Sequence, residues 1–363
     1  MTLYSLLLLF VSILPCVVAF LSWVNAPSSS CTLRPARNAL FISMYCFAVL
    51  LLAFTPATYF DGSDKGRYMY QFDNILSANV NELTKDIGWH YFVKLCYYIT
   101  FGISEIYFLI TASIFASAFY FFSKEKFGKD NVGYFLLMTM GLLGFGGFTN
   151  NVIRNGIAVA LCLYALIVNR NIFKIALSIV AYSIHGSTMI LIVSYLVTVP
   201  LKSYKLPFLF WCLCLVLSFA RIDVSTFFQI FGALDERVTE YTGEASADTL
   251  SVYSKAGMFR WDFLLYSAFP IFISRYWIKK YKYDDRFYIR IVNMYLLCNA
   301  LWLLIIRQAY CDRFAFLSWL MIPIVTLYPV LKNEIQVTHP NSKVYLIITI
   351  ITGVHAGVVL KQI

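Results

Sequence analysis

Apolar runs of about 15–20 residues recur along the whole chain, each closed by a short polar stretch. Runs of this length match the hydrocarbon thickness that a helix must cross. The pattern predicts spans at 3–23, 39–57, 105–122, 131–149, 153–168, 172–184, 187–200, 206–220, 261–278, 291–306, 314–331 and 344–360. The first run has no basic residue ahead of it and many spans behind it, so it reads as a membrane helix rather than a cleaved signal. Segments 172–184 and 187–200 are either one long tilted span or two short pieces meeting at His185-Gly186-Ser187, and the charge argument below favours two pieces. The expected fold is an all-α polytopic integral membrane protein with about 11–12 transmembrane helices in one transmembrane domain, 1–363, with two long outer loops.

Composition agrees: of 363 residues, 60% are apolar and only 13% charged, against about 45–50% and roughly 25% in ordinary soluble domains. This excludes a soluble enzyme and a nucleic-acid binder. The nine cysteines form no disulfide or metal framework, so neither metal nor cofactor is expected. The net charge of +10 matters through its placement. Pooling alternate loops gives one set with 17 Lys/Arg and five acids, and another with 12 Lys/Arg and 14 acids. Basic loops stay cytoplasmic, so the first set faces in and both termini face out.

That orientation leaves the long loops, 58–104 and 221–260, on the outer side. The run Trp89–Tyr98 in the first suits a helix lying along the membrane interface. The acid-rich stretch from Asp235 to Lys255 in the second reads as a flap. Candidate chemistry gathers on this side. Arg154 opens a span just after Asn151, and a helix N-terminus carrying an arginine is an anion site. Arg307 and Arg313 bracket a tight outer turn, and Arg260 starts another span. Each arginine read singly is equally an interfacial anchor. The set of four on the face where the positive-inside tendency disfavours arginine points to an anionic ligand. His185, inside an apolar run at a Gly-Ser break, is read as a buried neutral imidazole, a general base or a hydrogen-bond donor to a pyrophosphate. Asp61, Asp64, Asp73, Glu105 and Asp262 are alternative bases.

The order Asp61/Asp64 with Tyr68 and Tyr70, then Arg154-Asn155-Gly156-Ile157-Ala158, then His185-Gly186-Ser187, then Asp312-Arg313-Phe314 resembles the EpsG family, close to the Wzy-type O-antigen polymerases. The likeness covers roughly 55 to 330, with Asn155 where the family's commoner form has Gln and with Ile157 interposed before Ala158. The resemblance implies a GT-C-like glycosyltransferase of the bacterial inner (cytoplasmic) membrane whose active site faces the periplasm. Such an enzyme moves a growing glycan from an undecaprenyl-diphosphate donor onto an undecaprenyl-diphosphate-linked repeat unit. Its partners are that donor and acceptor and membrane lipid, with room for a chain-length regulator protein. On this reading His185, Asp64 or Asp61 is the base, while Arg154, Arg313, Arg307, Arg260, Asn151 and Tyr68 bind the diphosphate and substrate. A polysaccharide flippase or other transporter, or a membrane acyltransferase acting on glycans, remains the alternative.

Overall fold

A computed structural model describes residues 3–26, 38–57, 64–78, 86–221, 258–308 and 311–360, and every regular element among them is helical. The chain forms two compact units. The first, Met1–Thr188 with Leu327–Ile363, contains α1 (Leu3–Val24), α2 (Asn38–Ala53), α3 (Asp64–Asp73), α4 (Ile87–Ile99), α5 (Ser104–Phe127), α6 (Val132–Met140), α7 (Phe145–Asn150), α8 (Ile153–Ile167) and α9 (Asn171–Ile184). The second, Met189–Thr326, takes in α10 (Thr188–Thr198) from its second residue, α11 (Lys205–Phe219), α12 (Trp261–Tyr281), α13 (Arg286–Leu304), α14 (Cys311–Trp319) and the first half of α15 (Ile322–Leu331). The rest of α15 and α16 (Pro340–Leu360) return to the first unit.

Five stretches among the described residues are long and apolar enough to cross a membrane: Ser5–Val24, Ser104–Phe127, Arg286–Leu304, Cys311–Leu331 and Pro340–Leu360. Helices α2, α8, α9, α10 and α11 are shorter and equally apolar. The protein is therefore an all-α, multi-pass membrane protein. Lipid solvates its outside while large side chains such as Tyr107, Tyr134, Trp277 and Trp302 fill the interiors of the two units.

Glycine marks where one expected span breaks. The run 131–149 divides into α6 and α7 at Gly141, which sits against both α1 and α16. A Cβ there would run into Thr352 and Pro15, and the Gly141 carbonyl lies 3.1 Å from His355 Nδ1. The segment 172–200 resolves into two helices, α9 and α10, as the charge argument favours. His185 ends α9 with extended backbone (φ −153°, ψ 114°), and its carbonyl accepts both the N–H (3.1 Å) and the hydroxyl (2.7 Å) of Thr188, which starts α10.

The orientation read from the loop charges gives an expected outcome for cysteine labelling of intact cells. Ser77→Cys and Lys282→Cys both place the probe at exposed positions. A membrane-impermeant maleimide should modify the first and not the second. The opposite pattern inverts the topology.

Candidate functional site

In the first unit, three helix ends meet at one level. Helices α8 and α9 are joined by only three residues, and Ile153, Ile157, Ala181 and Ile184 share one core, so the pair is antiparallel and Arg154 and His185 lie at the same end. Helix α5 runs parallel to α8 at a constant offset of 47 residues. Ser117 Oγ meets Tyr164 Oη at 2.9 Å, and ten residues earlier Tyr107 is a neighbour of Arg154.

At that end Arg154 Nη1 pairs with Asp86 Oδ2 at 2.8 Å, the carboxylate only 8% exposed. Asp86 precedes α4 in left-handed backbone (φ 53°) and makes no side-chain cap to its own helix. A non-glycine residue held there costs about 1–3 kcal/mol, and this one directs its carboxylate to the arginine instead of to the α4 amides. Around the pair, several buried polar atoms make no hydrogen bond within the protein: Arg154 Nε, Tyr107 Oη, Asn155 Oδ1, both amide atoms of Asn150, and Ser187 Oγ. Each such group costs about 1–3 kcal/mol if left unmade. They lie in the first turn of α5 and at the α7–α8 and α9–α10 junctions, and are chemically able to take polar groups from outside the chain.

Most of the residues expected from sequence in this half of the chain come to that end. Tyr68 stands edge-on to Trp89 (5.5 Å between ring centroids), whose indole N–H donates to Gln71 Oε1 at 3.0 Å. Asp64 lies one turn before Tyr68 on the same face of α3 and pairs with Arg67 at 3.4 Å. Asn151 links α7 to α8, its N–H donating to the Gly147 carbonyl at 2.7 Å. Asp61 and the stretch Asp235–Lys255 lie outside the described residues.

In the second unit, Arg260 grips Asp262 through two hydrogen bonds (3.0 and 2.8 Å) and stacks over the Phe263 ring at 3.5 Å. Asp312 has Arg313 and Arg260 as cationic neighbours. Arg307 differs. Its guanidinium lies 4.9 Å over the Phe259 ring, its Nε makes no hydrogen bond among the described residues, and among those residues the charge acting on it is another cation, Arg221. Burial first, and Arg221 second, push the Arg307 guanidinium below its usual value. Two neighbouring arginines repel unless an anion joins them. Arg221, which closes α11, escaped the sequence reading because it looks like a simple end-of-span anchor.

Sequence reasoning also missed Lys65. It is 4% exposed, and its ammonium donates to the carbonyls of Leu52 (3.3 Å), Ala53 (2.8 Å) and Thr55 (2.7 Å). These carbonyls lie at and just past the negative end of α2, and the Phe108 ring covers the ammonium at 4.6 Å. Burial lowers its pKa from 10.5 to about 8. Because the folded value lies below the unfolded one, the folded form binds fewer protons between those values and stability rises with pH there. The melting temperature of wild type relative to Lys65→Met should therefore stay level below about pH 8 and climb from there towards about pH 10.5. A fall over that range would mean that the ammonium is better solvated in the protein than in water.

The chain matches the model of the EpsG family over residues 41–360, most of its length. No curated protein and no solved structure matches it.

Proposed function

Since the chain belongs to the EpsG family, we propose that it is a glycosyltransferase that polymerises undecaprenyl-diphosphate-linked oligosaccharide repeat units into a surface polysaccharide on the periplasmic face of the inner membrane. The observation that carries this reading beyond the family is the Arg307–Arg221 pair. Two guanidiniums that are charge neighbours, Arg307 lying over an aromatic ring and with no acid acting on it among the described residues, suit a ligand group of at least two negative charges, as a lipid diphosphate is. Within the second unit Arg313 and Arg260 support that pair, and in the first unit Arg154 and the polar atoms near it are the substrate-binding groups. When the glycan is transferred, the glycosidic carbon changes bond from the diphosphate oxygen to an acceptor hydroxyl. The cations offset charge on the departing diphosphate, and a base takes the hydroxyl proton.

We assign the base role to His185, which lies at the break between α9 and α10 at the same end of the bundle as Arg154. His185→Gln keeps the hydrogen bonding and roughly the volume but cannot take a proton at neutral pH. Purified His185→Gln protein should bind lipid-linked repeats and fail to join them. A rate near wild type would move the role to Asp64 or Asp61.

Deleting the gene tests the whole reading. Loss of a polymerase leaves lipid capped with a single repeat on a polysaccharide gel. Loss of a flippase leaves no capped lipid at all, and that outcome would replace this reading.

A further inference from the structure

Helix α4 lies across the ends of the helices beneath it rather than along them. Near its start Gly88 is pressed against the last turn of α9, where a Cβ would run into Ser183, and Asp86 just before it holds Arg154 of α8. At its other end Tyr97 packs against Phe72 (5.3 Å), which stacks on Tyr107 in the first turn of α5 (4.6 Å). Ser183, Arg154 and Tyr107 all lie at one level, so both ends of α4 do too. Its 13 residues bridge about 20 Å sideways.

The two faces of α4 differ. Trp89, Val93 and Cys96 turn into the protein. Ile87, Tyr91, Leu95, Tyr98 and Ile99 form a stripe at helical spacing that faces out, each 44–59% exposed. No charged residue interrupts the stripe, and half-buried Lys94 lies at its edge, where a long side chain can reach back to water. The chain then turns directly into α5, a helix long and apolar enough to cross the membrane. That turn uses two left-handed residues in succession, Phe101 (φ 54°) and Gly102 (φ 77°), and leaves Phe101 91% exposed. A phenylalanine held in this conformation carries a cost in backbone strain. In water the exposed ring would add to that cost, whereas in lipid its burial offsets it. Apolar exposure continues onto Ile103 and Ile106, which lead into and open α5, with exposed Glu105 between them in the first turn.

From this continuity we infer that α4 is seated in the bilayer interface, its outward stripe and Phe101 buried among the acyl chains and its inner face forming the rim of the first unit. Isoleucine, leucine and phenylalanine flanked by tyrosines is the composition that favours the headgroup–acyl boundary. The seating sets Asp86 and Arg154 at headgroup depth, which agrees with the function proposed above but does not depend on it.

The test uses the full-length wild-type protein in lipid nanodiscs containing a phospholipid with a diazirine in its acyl chain. After irradiation, lipid adducts are mapped by mass spectrometry. Adducts on Leu95, Tyr98 or Phe101, at a density within about threefold of those on outward-facing Phe121 of α5, are the expected result. Labelled Phe121 with an unlabelled α4 would overturn the inference. So would ready disulfide formation at position 95 between two copies of the Leu95→Cys variant under mild oxidation in the same nanodiscs, since a second copy of the chain would then cover the stripe.

Discussion

Arg154→Ala is expected to melt at a lower temperature than wild type and to make no polymer, and adding Asp86→Gly is expected to restore the first loss but not the second. The reason is the 2.8 Å ion pair, whose carboxylate is nearly sealed from water. Removing only the cation strands a buried charge, which costs about 3 kcal/mol in such settings. Removing the carboxylate as well relieves that cost, and glycine adopts the left-handed backbone at position 86 without the strain an alanine would meet. What the double variant cannot restore is a guanidinium at the head of α8, where Asn155 and Tyr107 offer polar atoms without partners. Thermal unfolding of purified protein separates stability from function, and polymerisation of lipid-linked repeats in vitro reads the second quantity. Wild-type polymer from the double variant would return Arg154 to the role of a structural anchor. A double variant as unstable as the single one would trace the loss to packing of the arginine stem rather than to charge.

Arg307→Ala is expected to behave in the opposite way, lowering polymerisation by roughly 100-fold or more while leaving stability unchanged or slightly raised. Its charged neighbour among the described residues is Arg221, and truncating one of two neighbouring guanidiniums removes a repulsion instead of an attraction. Arg307→Lys keeps the charge but loses the planar fork that stacks over Phe259 and that the proposed function uses to bind two phosphate oxygens, so it should recover only a small part of the activity. Inorganic pyrophosphate should raise the melting temperature of wild type and not of the Arg221→Ala, Arg307→Ala double variant. If Arg307→Ala lowers stability as Arg154→Ala does, the arginine has a structural acid partner and the anion site is elsewhere.

The class of protein could be read from the amino-acid sequence alone, because the bilayer sets a length and an apolarity that a helix must meet whatever its neighbours are. The break at His185-Gly186-Ser187 was legible for a similar reason, since glycine and serine interrupt a helix locally. Arg260 needed little more, its partner Asp262 being two residues away. The partners of the other charged groups were not legible. Asp86 and Arg154 are 68 residues apart, and only the antiparallel packing of α8 on α9, with α4 laid across their ends, brings them together. Lys65 reads as a solvated loop cation until the carbonyls at the end of α2 are folded against it, and Arg221 reads as an anchor until Arg307 is brought near it. The division of 131–149 likewise falls at Gly141, which sits against both α1 and α16, a contact between segments more than a hundred residues apart. Local hydropathy and glycine placement act along the chain and so are written in it. The pairing of buried charges acts across the chain, and only the packing that chooses which helix ends share a level decides it.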